Sequence, residues 1–137
     1  MKRFALGALG LLILVSGCGL TPNLTGTWSG YVIFDQGDGF AGLSYDLTML
    51  IVQDGSNLSG NIGFGNVLFT IMVPIEEGTC SGDTLDIYAS GHVSIIGTTS
   101  DVEISLIGQV SETSLSGTGD YVVNGEVHQF TWQASLQ

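Results

Sequence analysis

From Leu24 to Leu136 the chain is made of short runs in which apolar and polar residues alternate with a period of two, and no stretch carries the 3.6-residue apolar spacing of a helix. Leu43 to Gln53 shows the pattern most cleanly, with Leu43, Tyr45, Leu47, Met49 and Ile51 on one face and Ser44, Asp46 and Thr48 on the other. Asp54-Gly55 and Asn124-Gly125 are strong two-residue hairpin signals. Only antiparallel neighbours accept links this short, so the topology is predicted to be a meander. The predicted strands are Gly26 to Asp35, Leu43 to Gln53, Asn57 to Phe64, Val67 to Val73, Thr79 to Ser90 with a break at Asp83, His92 to Gly97, Asp101 to Val110, Leu115 to Val123, and Glu126 to Leu136.

A weak repeat runs through this pattern. Leu24-Thr25-Gly26-Thr27, Leu58-Ser59-Gly60-Asn61 and Leu115-Ser116-Gly117-Thr118 share one form, with looser copies at Cys80-Ser81-Gly82-Asp83 and Leu106-Ile107-Gly108-Gln109. Glycine inside a strand is costly unless the sheet bends sharply or another backbone comes close, which is what a small closed barrel demands. Closure also removes the strand edges through which such a chain would aggregate. The expected fold is therefore all-β: a single antiparallel up-and-down meander barrel of about eight strands, with an open β-sandwich as the alternative.

The charge is as one-sided as the pattern. Lys2 and Arg3 are the only basic residues, so the chain beyond them sets 13 acidic side chains against no lysine or arginine, a formal charge of −13 with histidines neutral. Nucleic acid is excluded as a partner, because nothing neutralises phosphate. A Walker lysine, a Schiff-base lysine and an arginine clamp are equally absent, and Gly26-Thr27-Trp28-Ser29-Gly30 sets its serine one place too late for a nucleophile elbow.

Lys2 and Arg3 precede a 12-residue apolar run, Phe4 to Val15, which as a helix spans about 18 Å at ~1.5 Å per residue. That falls short of a hydrocarbon core of roughly 30 Å, so the segment reads as a secretory signal. Its end, Leu14-Val15-Ser16-Gly17-Cys18, is a lipobox. The segment resembles the precursors of bacterial lipoproteins, which implies cleavage before Cys18, a diacylglycerol on its sulfur and an N-acyl group on the new terminus. Several acyl chains anchor stably where one does not. Gly19 in place of aspartate implies, by the same resemblance, delivery to the outer membrane in a Gram-negative cell. Residues 1–17 are thus expected to be signal, 18–23 a lipidated tether and 24–137 the barrel, in the cell envelope. With Cys18 lipidated, Cys80 is expected to pack as an unpaired apolar residue.

Gly26-Thr27-Trp28 at the start of a meander of this length is similar to the opening of lipocalins and the wider calycin group, and Leu24 to Trp28 followed by Asp54 to Gly60 is similar to the start of an avidin. The resemblance implies an up-and-down barrel around an apolar cavity, with Trp28 as a plug at its base; no arginine is present in the last strand to stack on Trp28, and the biotin-site tryptophans of an avidin are absent. The apolar faces nominate Tyr45, Met49, Tyr121, His128, Phe130 and Trp132 as ligand-lining residues, the tyrosines and histidine being polar handles, against the alternative that they simply fill the core. No catalytic residue, metal site or cofactor is expected beyond the lipid itself. His92 and His128 lack ligand spacing, the loop Asp35 to Gly39 lacks a full calcium pattern, and paired carboxylates such as Asp101 with Glu103 are unavoidable in so acidic a chain. The expected function is a non-enzymatic barrel for a small apolar or neutral ligand. The alternative is a structural or protein-interaction lipoprotein with a solid core and functional loops at Gln36 to Gly42 and Ile75 to Gly78.

Carboxylates without basic partners repel one another more in the folded state than in the expanded one. The melting midpoint is therefore predicted to rise when NaCl is raised from about 0.01 M to about 1 M, which shortens the screening length from roughly 30 Å to roughly 3 Å; a midpoint insensitive to salt would contradict this.

Overall fold

A computed structural model describes residues 23–35, 44–65, 70–95 and 97–137. Its strands are β1 (Gly26–Phe34), β2 (Ser44–Asp54), β3 (Asn57–Gly65), β4 (Thr70–Ser81), β5 (Thr84–Ile95), β6 (Thr98–Ser111), β7 (Ser114–Val123) and β8 (Glu126–Leu136). Each pairs antiparallel with its neighbour in sequence, and β1 also pairs antiparallel with β8, from Trp28↔Leu136 to Phe34↔Phe130. That last pairing closes the barrel and sets aside the open sandwich.

Two expected boundaries are corrected. β4 runs from Thr70 through Pro74 and Glu76-Glu77-Gly78 to Ser81, where the sequence pattern breaks into two runs and a loop at Ile75 to Gly78. Pro74 has no N–H to give a ladder and belongs at a bulge; the registers of β4 skip there on both sides, between Asn57 and Asn61 of β3 and between Ile75 and Glu77 against β5. β5 likewise continues through Gly91, which pairs with Val102. The expected loop at Gln36 to Gly42 lies outside the described residues.

The period of two sorts the side chains as expected, apolar inward and mostly polar outward. One end, the base, carries the chain's entry and the short turns β2–β3, β4–β5 and β6–β7. Trp28 and Leu24 seal it, both fully buried, with the indole Nε1 donating to the Leu24 carbonyl at 2.8 Å. The turns lock to the next element: Cys80 N donates to the Ser56 carbonyl, Val110 N to that of Asp83 and Leu136 N to that of Thr113. The Leu-x-Gly repeat now has a physical meaning, since Leu24, Leu58 and Leu115 are all buried.

Two inward glycines show why closure needs them. A Cβ on Gly30 would overlap the Gln133 carbonyl oxygen across the β1–β8 seam, and one on Gly117 would overlap that of Ile107 across β6–β7. Both sit where the wall curves too tightly for a side chain between strands.

Gly117→Ala is predicted to destabilise the barrel by about 3 kcal/mol, at the upper end of what overpacking costs, because its obstacle is backbone. Glu112 adopts a φ of 46° at the β6–β7 turn, where the corresponding turns use Gly55 and Gly82, both at 63°. Glu112→Gly is predicted to raise stability by about 1 kcal/mol through release of that left-handed strain. Urea unfolding of the two variants checks both signs.

Candidate functional site

Five of the six nominated lining residues, Met49, Tyr121, His128, Phe130 and Trp132, are buried inside the barrel, and Tyr45 is half-buried. They do not form one surface. Met49 lies deep, opposite Trp28 in the β1–β2 register. Tyr45, Tyr121, His128 and Phe130 gather at the mouth, the end opposite the base, with two rings that the nomination omitted. Phe34 stands edge-on to Tyr45 at 5.8 Å, to Phe130 at 5.7 Å and to His128 at 6.3 Å. Phe64 meets Tyr121 at 5.5 Å and Phe130 at 5.4 Å. Edge-to-face contacts at these separations are the favoured aromatic geometry, so the rings occupy the space between them. The signal for Phe34 was its place on the face of Trp28 and Val32; Phe64 stands in a glycine-flanked stretch, Gly63-Phe64-Gly65, with no alternation to mark it.

The polar atoms of this cluster are few. His128 Nε2 lies 3.3 Å from Glu126 Oε1 at the rim. Burial pushes the Tyr121 phenol above the ordinary tyrosine value, with the Tyr45 phenol adding a smaller push in the same direction.

Trp132 crosses the middle of the barrel above the inward glycines. A Cβ on Gly108 would stand 2.6 Å from its ring. Its Nε1 donates to two carbonyls on facing strands, Thr118 at 3.1 Å and Ile107 at 3.3 Å. On the other side of that wall, facing solvent, lies a depression of about 340 Å³. Ser105 and Ile107 of β6, Thr118 and Asp120 of β7, and Gln129 and Thr131 of β8 line it, with Asp35 at one side. The registers make these residues neighbours: Gln129↔Asp120↔Ser105 in one cross-strand row and Thr131↔Thr118↔Ile107 in the next. Asp35 joins the first row through its backbone N–H, which donates to the Gln129 carbonyl at 2.9 Å.

The other described acidic side chains are exposed, on the outer wall or in the turns. Asp101 bonds His92 Nδ1, and Glu103 accepts from the Tyr88 hydroxyl at 2.8 Å; that bond is the main reason the Tyr88 phenol is held above its ordinary value. Among the described residues no group of three or more histidine, cysteine or carboxylate side chains could hold a metal. Cys80 is fully buried and disulfide-bonded, which corrects the expectation of an unpaired residue. Cys18 is the chain's other cysteine and lies outside the described residues, as do the signal, the lipobox and the loop from Gln36 to Gly39.

The tyrosines give the fold a pH limit. Both raised phenols bind their protons more tightly folded than unfolded, so their contribution is complete below the ordinary tyrosine value near 10 and is lost as pH rises through the folded values. No lysine or arginine lies beyond residue 3 to obscure that range. Stability from urea unfolding is predicted to fall between about pH 9 and about pH 11, and less steeply in Tyr121→Phe. Comparison of the chain with protein-family models, with curated proteins and with solved structures finds no match.

Proposed function

We propose that this chain is a membrane-anchored lipoprotein of the cell envelope, acting by binding rather than by catalysis, whose barrel is a filled scaffold that presents its outer wall and mouth. One observation carries the choice of exterior over interior. The inside is occupied by its own side chains from Trp28 at the base to the Phe34 and Phe64 rings at the mouth, while a lined depression lies on the outside.

The anchor rests on the sequence, and the fold fits it. The chain enters the barrel at the base, where Leu24 N donates to Gln53 Oε1. Five residues, 19–23, separate Cys18 from Leu24, a reach of at most about 18 Å at ~3.3 to 3.6 Å each. A lipid on Cys18 therefore holds the base against the bilayer and turns the mouth away. The outer wall is mostly polar and the interior apolar, the reverse of a barrel that spans a membrane with its strands. An acyl anchor supplies the attachment that such a wall does not.

Carriage of a small apolar or neutral ligand inside the barrel is the competing reading, and half-buried Tyr45 beside Tyr121 and His128 is its best feature. A thioether and a disulfide cannot share one sulfur, so the disulfide on Cys80 competes with lipidation for Cys18, the chain's other cysteine.

Labelled palmitate is predicted to enter the wild-type chain and not Cys18→Ala, and native mass spectrometry of protein from its own host is predicted to find no apolar molecule bound. Absence of label overturns the anchor. A stoichiometric apolar passenger overturns the filled scaffold in favour of carriage.

A further inference from the structure

We propose that the depression on the outer wall of β6–β8 is a binding site for a neutral saccharide. This builds on the reading of the exterior as the working surface and is independent of the lipid.

The chemistry of the lining carries the argument. Ser105, Thr118 and Thr131 each offer a hydroxyl that both donates and accepts, Gln129 offers an amide with both capacities, and Asp35 and Asp120 accept only. Neighbouring strands lie roughly 4.8 Å apart, so the two cross-strand rows form a close grid of hydrogen-bonding groups. Ile107, 57 % exposed, gives the grid an apolar ledge, and Ile33, paired with Thr131 and 41 % exposed, gives it another on the β1 side.

Three ligand classes can be weighed against that grid. An anion would meet two carboxylates with no lysine or arginine beyond residue 3 to neutralise it. A purely apolar molecule would cover six hydrogen-bonding side chains and leave them unpaired. A sugar ring matches all of it: its hydroxyl protons go to Asp35 and Asp120, its oxygens accept from the threonine, serine and glutamine groups, and its C–H face rests on isoleucine. The volume, about 340 Å³, lies within the roughly 300 to 1,000 Å³ of small-molecule sites. An amine is the remaining rival, since it too satisfies carboxylates; four neutral hydroxyl or amide groups against two carboxylates favour the polyol.

The site is also held rigid from behind. The Trp132 indole N–H bonds the carbonyls of Thr118 and Ile107, two of the lining residues, so the floor is pre-organised. The same contact makes Trp132 a reporter of occupancy.

The test is a titration of the detergent-solubilised full mature chain with maltohexaose, cellohexaose and chitohexaose, with a galacturonate oligomer and spermidine as anionic and cationic controls. The expected result is saturable movement of the Thr118, Asp120 and Gln129 amide resonances by at least one neutral hexasaccharide, with a change in Trp132 emission and no movement by galacturonate. Asp120→Ala is expected to weaken binding about tenfold or more by removing a charge-assisted hydrogen bond, while Glu77→Gln on β4, away from the depression, leaves it unchanged. No saturable movement with any neutral saccharide overturns the proposal, and so does movement with spermidine alone. Palmitate labelling is read separately, so failure of the anchor and failure of the groove are distinguishable.

Discussion

The seam between β1 and β8 is the constraint from which the other properties descend. An eight-stranded wall closes around an interior that side chains can fill or one small ligand can occupy, and it closes here because Gly30 on the seam and Gly117 on β7, two strands away, let backbones come together where a Cβ would collide with a carbonyl oxygen. Once the wall is shut, the inward set has nowhere else to go. Trp28 fills the base, Trp132 the middle, and Phe34, Phe64 and Phe130 the mouth. The Trp132 and Phe130 rings are accommodated only because the positions against them, Gly108 and Gly119 respectively, carry no side chain at all. Curvature and filling are therefore one requirement, met by the same residues.

A closed wall also leaves recognition to surfaces that strand pairing brings together. Asp35 and Gln129 are far apart in sequence and adjacent across the seam; Asp120 and Ser105 become neighbours by register alone. The unbalanced charge acts on whatever arrives there. Beyond residue 3 no side chain is permanently positive, so the field of the body repels anions from every direction and favours neutral or cationic partners.

Much of the fold was legible because period-two alternation and turn chemistry are local. The last hairpin, Ser114 to Leu136, follows from Asn124-Gly125, which takes the two positive φ angles, 50° and 85°, of a tight primed turn. The Leu-x-Gly repeat pointed to closure for the right reason. β4 was not legible: Pro74 and Glu76-Glu77-Gly78 are strand breakers taken locally, and only bulges in both neighbouring ladders keep them in the wall. The interior positions of Tyr121, His128, Phe130 and Trp132 could be read from their face, but whether a barrel is hollow depends on how rings from different strands meet, which no single strand shows. The outer groove was invisible for the same reason, since its rows are assembled from β6, β7, β8 and the end of β1. The state of Cys80 could not be read from the count of two cysteines, because a lipobox and a disulfide make rival claims on the other one.

The central claim is that the sheet is shut along β1 and β8 and solid within. Amide hydrogen exchange followed by NMR tests it most directly, residue by residue along Trp28 to Phe34 and Phe130 to Leu136. A closed and filled barrel gives the seam amides the same slow exchange as those of the β5–β6 pairing, governed by global unfolding. Exchange along the seam that is orders of magnitude faster than along β5–β6 would show two free edges and contradict the account.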